Sequence, residues 1–304
     1  MATIEIVEVS ARDGLQNETQ TIFSTGQKIE LIQRMVTAGA RRLEVASFVR
    51  PDAVPQMADA EAVVAGLDLP DNVITIGLVM NKRGALRALE TNVRELGAVC
   101  VASDSFAKAN QGQTSMGSVE IAGEILRLAR QEGRRAQVTI GAAFGCPFEG
   151  EVDPSHVLAM AARLVDAGPV ELALADTIGV AVPRQVHNLV SRLRELASGL
   201  PIRVHLHNTR NTGYANALAA IEAGAATLDA SVGGIGGCPF APNATGNIAT
   251  EDLLYLLERS GISTGLDSAV TIDTARWLSG EMSRAVPGLL SRAGSFPSSN
   301  QLQG

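Results

Sequence analysis

The 304-residue chain has four histidines, and two of them, His205 and His207, stand one residue apart in Val204-His205-Leu206-His207-Asn208-Thr209-Arg210. Alternate side chains of a strand share a side. Two imidazoles aimed at one point make a metal ligand pair. The competing reading is a polar layer inside a protein core. Asp13, in Ala11-Arg12-Asp13-Gly14, is the natural anionic partner, or else a turn residue, since Asp-Gly is a common turn dipeptide. Asn247 can offer a carbonyl oxygen, although Asn243-Ala244-Thr245-Gly246-Asn247 is also ordinary loop composition. An aspartate, two histidines and an asparagine would present two nitrogens and two oxygens and leave positions open for water or substrate. Open positions mean a Lewis acid rather than a structural ion. Donor type does not choose among Mg²⁺, Mn²⁺, Co²⁺ and Zn²⁺. Gly233-Gly234-Ile235-Gly236-Gly237-Cys238 forfeits backbone order. It reads as a lid carrying Cys238 to the site, or as a plain loop with an inert thiol.

These residues need a scaffold, and the sequence supplies an alternating one. Strands are expected near 4–9, 43–47, 73–79, 97–102, 137–144, 170–175, 202–207 and 226–232, with helices near 25–38, 55–65, 82–95, 117–132, 155–167, 183–197 and 212–223. Ser24 with Gln27 makes a capping box at the first helix, and Gly39 stops it. A weak repeat, TAGARRLEVAS (37–47), EAGAATLDAS (222–231) and DAGPVELALAD (166–176), restates the same unit of helix end, glycine stop and strand. No hairpin signal joins neighbouring strands, so they are expected to be parallel, with crossover helices. Eight such units predict an α/β (β/α)₈ TIM barrel over 1–284, with a short irregular, loosely packed extension over 285–304. A doubly wound sheet is the alternative, but no Gly-x-Gly-x-x-Gly follows the first strand. In a barrel the active site lies at the C-terminal ends of the strands. Those ends carry Arg12 and Asp13, Glu44, Cys146 and Glu149, Asp176, the histidine pair, and then Cys238 and Asn247. In that setting the histidine pair faces the lumen.

Composition narrows the class. Hydrophobic residues make up 46% and aromatics only 3%, which suits aliphatic strands under helices. A net charge of −7 with acids and bases intermixed argues against a nucleic-acid partner. No basic segment precedes an apolar signal core, and the uncharged stretch 230–250 is too rich in Gly, Asn and Pro to span a membrane. Three widely spaced cysteines, Cys100, Cys146 and Cys238, fit reduced thiols in a cytoplasmic setting, with a mitochondrial matrix also open.

Taken together, ARDGLQNE (11–18), LEVASFV (43–49), VPQMAD (54–59), GCPFEG (145–150), ADTIGV (175–180), HLHNT (205–209) and GGIGGCPFAPNATGNIATEDLLYLLE (233–258) resemble the 3-hydroxy-3-methylglutaryl-CoA lyase family. The resemblance runs in order from near residue 5 to about 265, and the glycine-rich cysteine loop with GNIATED is its most specific part. It implies cleavage to acetyl-CoA and acetoacetate by a retro-Claisen reaction. It implies Asp13, His205, His207 and Asn247 as ligands of a divalent cation, Mg²⁺ or Mn²⁺ first, with Zn²⁺ or Co²⁺ also compatible. Arg12 would stabilise the enolate oxygen, and Cys238 would take part in proton transfer. Glu44, Asp176 and Glu251 match further acids, with Asp176 or His205 expected near the alcohol proton. Asn81, Lys82 and Lys108 fall in stretches that resemble CoA-contacting loops, and a homodimer is the family expectation.

After the second histidine the lyase pattern usually reads HDTYGQ. Here Asn208, Thr209, Arg210 and Asn211 follow, so the acyl group is expected to be decided there, with homologues of 3-hydroxy-3-methylglutaryl-CoA open. Three other readings compete. A Claisen-type synthase of the same superfamily would be expected to carry a further C-terminal region. An aldolase without CoA would not need the cysteine loop. A catalytically dead barrel would have lost one of Arg12, Asp13, His205, His207, Asn247 or Cys238, and all six are present.

Overall fold

The computed structural model describes residues 2–237 and 246–296. Eight parallel strands close into a barrel: β1 (Glu5–Glu8), β2 (Arg42–Ser47), β3 (Ile74–Val79), β4 (Glu95–Val101), β5 (Arg135–Gly141), β6 (Leu172–Asp176), β7 (Ile202–Leu206) and β8 (Thr227–Ala230). Each strand pairs with its sequence neighbour, and β8 closes on β1 with Glu5 opposite Thr227 and Glu8 opposite Ala230. A separate two-residue pairing, Ala2–Thr3 with Ile262–Ser263, lies outside the barrel.

The outer ring is α1 (Thr25–Thr37), α2 (Ala60–Ala65), α3 (Lys82–Leu89), α4 (Asp104–Gln111), α5 (Ser115–Gln131), α6 (Pro154–Ala167), α7 (Pro183–Leu196), α8 (Gly213–Glu222), α9 (Thr250–Arg259) and α10 (Ser268–Glu281). The capping box of α1 is present: Ser24 accepts from the Gln27 N–H, and Gln27 Oε1 accepts from the Ser24 N–H at 2.9 Å. Its Leu31, Ile32 and Met35 are buried against the barrel. Each such side chain contributes about 1.5–3 kcal/mol.

Several element boundaries differ from those expected. The stretch 55–65 splits into a 3₁₀ turn, Pro55–Met57, and the short α2. Helix α3 ends at Leu89 instead of running to 95, because the Thr91 hydroxyl donates to the Ala88 carbonyl and accepts the Val93 N–H. Residues 104–110 are not a loop but most of α4, which starts on the Ser103 cap and stops at Gly112 with φ +72°. Residues α9 and α10 occupy were given no element in the sequence. After residue 284, Val286 is buried, the Gly288 N–H donates to the Gly233 carbonyl at 2.9 Å, and Leu290–Ala293 forms one helical turn, α11.

Inside the barrel, Val7 of β1, Val9 just after it and Ile76 of β3 form a small apolar plug. A layer of buried charges lies beside it. Arg42 bridges Glu95 and Glu171, and fully buried Arg203 lies among Glu44, Glu171 and Asp229. The polar core layer that competed with the metal reading therefore exists, but it sits beneath the histidines and does not replace them.

Candidate active site

The strands present their chemistry at one end. After β1 the chain makes a single π-helical turn, Ser10–Gly14, which carries Arg12 and Asp13. Gly14 is needed there, since a Cβ would lie 2.8 Å from both Ile235 Cγ1 and Ser231 Oγ. His205 is inside β7, and His207 stands just past its end, held in an isolated antiparallel bridge with Asn247. That bridge brings the asparagine to the histidines from 40 residues downstream in the chain.

Asp13 Oδ2 lies 3.8 Å from His205 Nε2 and 3.9 Å from His207 Nε2, and one donor atom from each residue falls within 4.8 Å of the others. Asn247 Nδ2 donates to Asp13 Oδ2 at 2.8 Å and to the Ile235 carbonyl at 3.0 Å. Its Oδ1 is buried and has no hydrogen-bond partner among the described residues. A buried free acceptor beside two imidazoles and a carboxylate makes a set of oxygen and nitrogen donors that fits a divalent cation. Burial alone would raise the Asp13 pKa. The Arg12 guanidinium and the two imidazoles outweigh burial and hold the carboxyl well below the usual carboxylate range. A permanently ionised carboxylate is the form that binds a cation.

Arg12 Nη1 donates to Asp13 Oδ1 at 2.6 Å, and its Nε donates to Glu44 Oε2 at 2.7 Å. Glu44 is buried and holds the guanidinium in place. Arg12, Asp13, Glu44, His205 and His207 all line an inner pocket of about 160 Å³, with Leu78, Val99, Phe106, Thr139, Ala175 and Thr177 among its walls. The inner pocket opens on a cleft of about 1640 Å³, and Gln16, Asn17, Met80, Asn110 and Gly237 line both.

Other candidate residues have different surroundings. Both carboxylate oxygens of Asp176 accept backbone N–H groups, Val180 at 2.9 Å and Ala181 at 3.0 Å, so the side chain ties down the loop that carries Thr177. Burial raises its pKa. Asn81 lines the large cleft while its Oδ1 caps α3 through the Gly84 N–H. Lys82 and Lys108 are exposed and are not among the residues lining either cavity. Cys238 lies outside the described residues.

Asn208 and Arg210, the departures from the lyase pattern, are not among the residues lining the inner pocket. Asn208 Oδ1 accepts the Gly213 N–H at the start of α8, and Arg210 Nη1 donates to the Ile178 and Gly179 carbonyls at 3.1 and 3.0 Å. Both stabilise loops, and neither lines the inner pocket.

The HMGL-like family profile matches residues 3–278. The chain belongs to the HMGL-like family. It is 42% identical to an (R)-citramalyl-CoA lyase of Chloroflexus aurantiacus, with 97% of this chain and 96% of that protein covered. It is 37% identical to a 3-hydroxy-3-isohexenylglutaryl-CoA/hydroxymethylglutaryl-CoA lyase of Pseudomonas aeruginosa, covering 95% and 98%. A structure of an HMG-CoA lyase from Acinetobacter baumannii, in complex with coenzyme A and 3-methylmalate, superposes with a TM-score of 0.93 at 40% identity, covering 97% and 96%. This family member is thus a carbon–carbon lyase of the HMG-CoA lyase type. Among the described residues no helix is long and apolar enough to cross a membrane.

One site residue of this lyase escaped the sequence reading. Asp229, on β8, lines the inner pocket, and its Oδ2 lies 3.0 Å from His205 Nδ1. A signal was available: Asp229 is the one charged residue of its strand, two positions after Thr227, on the lumen side of the alternation.

Proposed function

We propose that this lyase cleaves the CoA thioester of a branched 3-hydroxy acid bearing a second carboxylate, 3-hydroxy-3-methylglutaryl-CoA or a close homologue, to acetyl-CoA and a 3-oxo or 2-oxo acid. The observation that supports it most is the convergence of Asp13, His205 and His207 on one point of a pocket that also holds Arg12. Asp13, His205 and His207, with Asn247 through Oδ1, would hold a divalent cation, Mg²⁺ or Mn²⁺ by the family resemblance. When bound, such a cation lowers the pKa of a coordinated alcohol and orients a neighbouring carboxylate.

The chain's own groups do the rest. Arg12, braced by Glu44 and Asp13, supplies preorganised N–H donors for the charge that develops on the thioester oxygen as the carbon–carbon bond breaks. The nascent enolate carbon needs a proton, and the Cys238 thiol is the donor that the family resemblance implies. His205 has Nδ1 on Asp229, so a single nitrogen, Nε2, faces the pocket. With that nitrogen on a cation, the alcohol proton would pass to Asp176, the other acceptor that the resemblance implies. The long cleft lined by Asn17, Arg50, Asn81, Asn110 and Gln113 is the route for the CoA chain. A homodimer follows the family expectation.

A second reading differs by one methylene. (R)-Citramalyl-CoA has the same tertiary alcohol placed β to the thioester, but its carboxylate sits directly on the alcohol carbon. The 42% identical relative named for that substrate favours including it. The test is acetyl-CoA release over 3-hydroxy-3-methylglutaryl-CoA, longer-chain homologues and (R)-citramalyl-CoA, with chelator and with Mg²⁺ or Mn²⁺ restored. Cleavage of at least one member, abolished by chelator and restored by metal, is expected. Chelator-resistant cleavage refutes the cation, and no cleavage of any member refutes the substrate class.

A further inference from the structure

We infer that Asp229 is a positioning residue of the cation site: it fixes the His205 ring with Nδ1–H on its carboxylate, so that Nε2 alone is presented beside Asp13 and His207. The inference builds on the metal reading above, and its observations are geometric. Asp229 Oδ2 and His205 Nδ1 are 3.0 Å apart, and both residues are buried. The register places them side by side, since Arg203 pairs with Thr227 and Val204 with Leu228 on adjacent parallel strands. A neutral imidazole donates from one nitrogen and accepts with the other. An ionised carboxylate on Nδ1 can only accept, so in the neutral ring the proton sits on Nδ1 and the Nε2 lone pair points into the pocket. His207 has no such brace, because its Nδ1 has no hydrogen-bond partner among the described residues. The two histidine ligands are therefore held differently, and His205 is the one whose ring the barrel fixes.

Asp229 is itself held from below. Its Oδ1 lies 3.5 Å from the Nε of Arg203, a guanidinium with essentially no exposure. Arg203 also faces Glu44 at 3.9 Å. The contacts close a ring of alternating groups: Arg12 to Glu44 at 2.7 Å, Glu44 to Arg203, Arg203 to Asp229, Asp229 to His205, His205 to Asp13 at 3.8 Å, and Asp13 back to Arg12 at 2.6 Å. Through that ring the group that would receive the thioester oxygen and the group that would hold the cation are linked by charged contacts of 2.6 to 3.9 Å. Partners of this kind, one contact removed from a metal, typically change its affinity by about 10–100-fold.

The test uses the full chain, freed of metal, with Asp229→Ala and Asp229→Asn. Two quantities are read: the Kd for Mn²⁺ by electron paramagnetic resonance, and the His205 tautomer from ¹⁵N shifts of the imidazole nitrogens. The wild type is expected to show a single Nδ1–H tautomer at His205. Asp229→Ala is expected to mix the tautomers and raise the Kd by about 10–100-fold. Asp229→Asn keeps the shape and an acceptor but loses the charge, and is expected to fall between. A folded Asp229→Ala protein with an unchanged tautomer and an unchanged Kd overturns the inference. If Asp229→Ala does not fold, Asp229→Asn with wild-type tautomer and Kd overturns it equally. A wild type that binds no Mn²⁺ refutes the cation reading instead, and the tautomer measurement still decides the positioning claim.

Discussion

Replacing Glu251 by glutamine should remove a pH dependence of stability built in beneath the glycine-rich loop. Glu251 opens α9 and is fully buried; its Oε2 accepts the Gly233 N–H at 2.9 Å, while Oε1 has no hydrogen-bond partner among the described residues. Gly288 lies against that oxygen, where a side chain would overlap it. Burial pushes the Glu251 carboxyl up to about 8 from 4.5, with Asp252 and buried Glu8 adding to the push. The sign follows from the direction. The native state holds this proton more tightly than the unfolded chain. The stability it contributes is fully present below about pH 4.5 and is lost as pH rises through about 8. Each tenfold in proton affinity is worth about 1.4 kcal/mol, so between pH 5 and 9 the wild type loses on the order of 4 kcal/mol through this group. Glutamine at the same position is neutral throughout and can still accept from Gly233. Urea unfolding of the metal-free protein at pH 5, 7 and 9 measures the difference. The variant is expected to gain on the wild type as pH rises, because titrating groups that do not interact with Glu251 cancel between the two. A difference between them that stays constant from pH 5 to 9 refutes the reasoning.

Two further outcomes are expected. Arg12→Gln should lower kcat by about 10²–10³-fold, the usual cost of one preorganised donor to a developing oxyanion. A change confined to KM in steady-state kinetics would contradict the role given to Arg12. Gly236 has φ +122°, and a Cβ there would overlap Asn247 Nδ2. Gly236→Ala should therefore destabilise the fold by about 1–3 kcal/mol and weaken Mn²⁺ binding as well. Thermal unfolding and metal titration with wild-type values would show that the contact with Asn247 does not matter.

Local physics was legible along much of the chain. The capping box at Ser24, the glycine stops and the period of two across His205 and His207 all depend on residues within four positions of each other, and the structure carries them as expected. Legibility failed where a local signal was weak or was answered by a distant residue. Helix α4 begins on a Ser-Asp start inside a stretch taken for a loop. Asn208 and Arg210 break a family pattern beside the histidines, and the chain alone does not say what they touch. Their side chains are spent on the start of α8 and on the Ile178 and Gly179 carbonyls, contacts that only the folded loops create.

The sequence by itself determined the alternation of strand and helix, the end of the barrel that carries the chemistry, and an Asp, Arg and His set suited to a divalent cation and a thioester. Barrel closure decided the rest. Periodicity says which side of a strand a residue takes, but not which residue of the neighbouring strand stands level with it; that depends on the stagger with which β1 to β8 close. The stagger sets Asp229 against His205 and Arg203 beneath both, and the bridge past β7 carries Asn247 to His207. Two histidines two residues apart could be read from the chain. Only the barrel shows that Asp229 braces His205, while the Nδ1 of His207 has no such partner among the described residues.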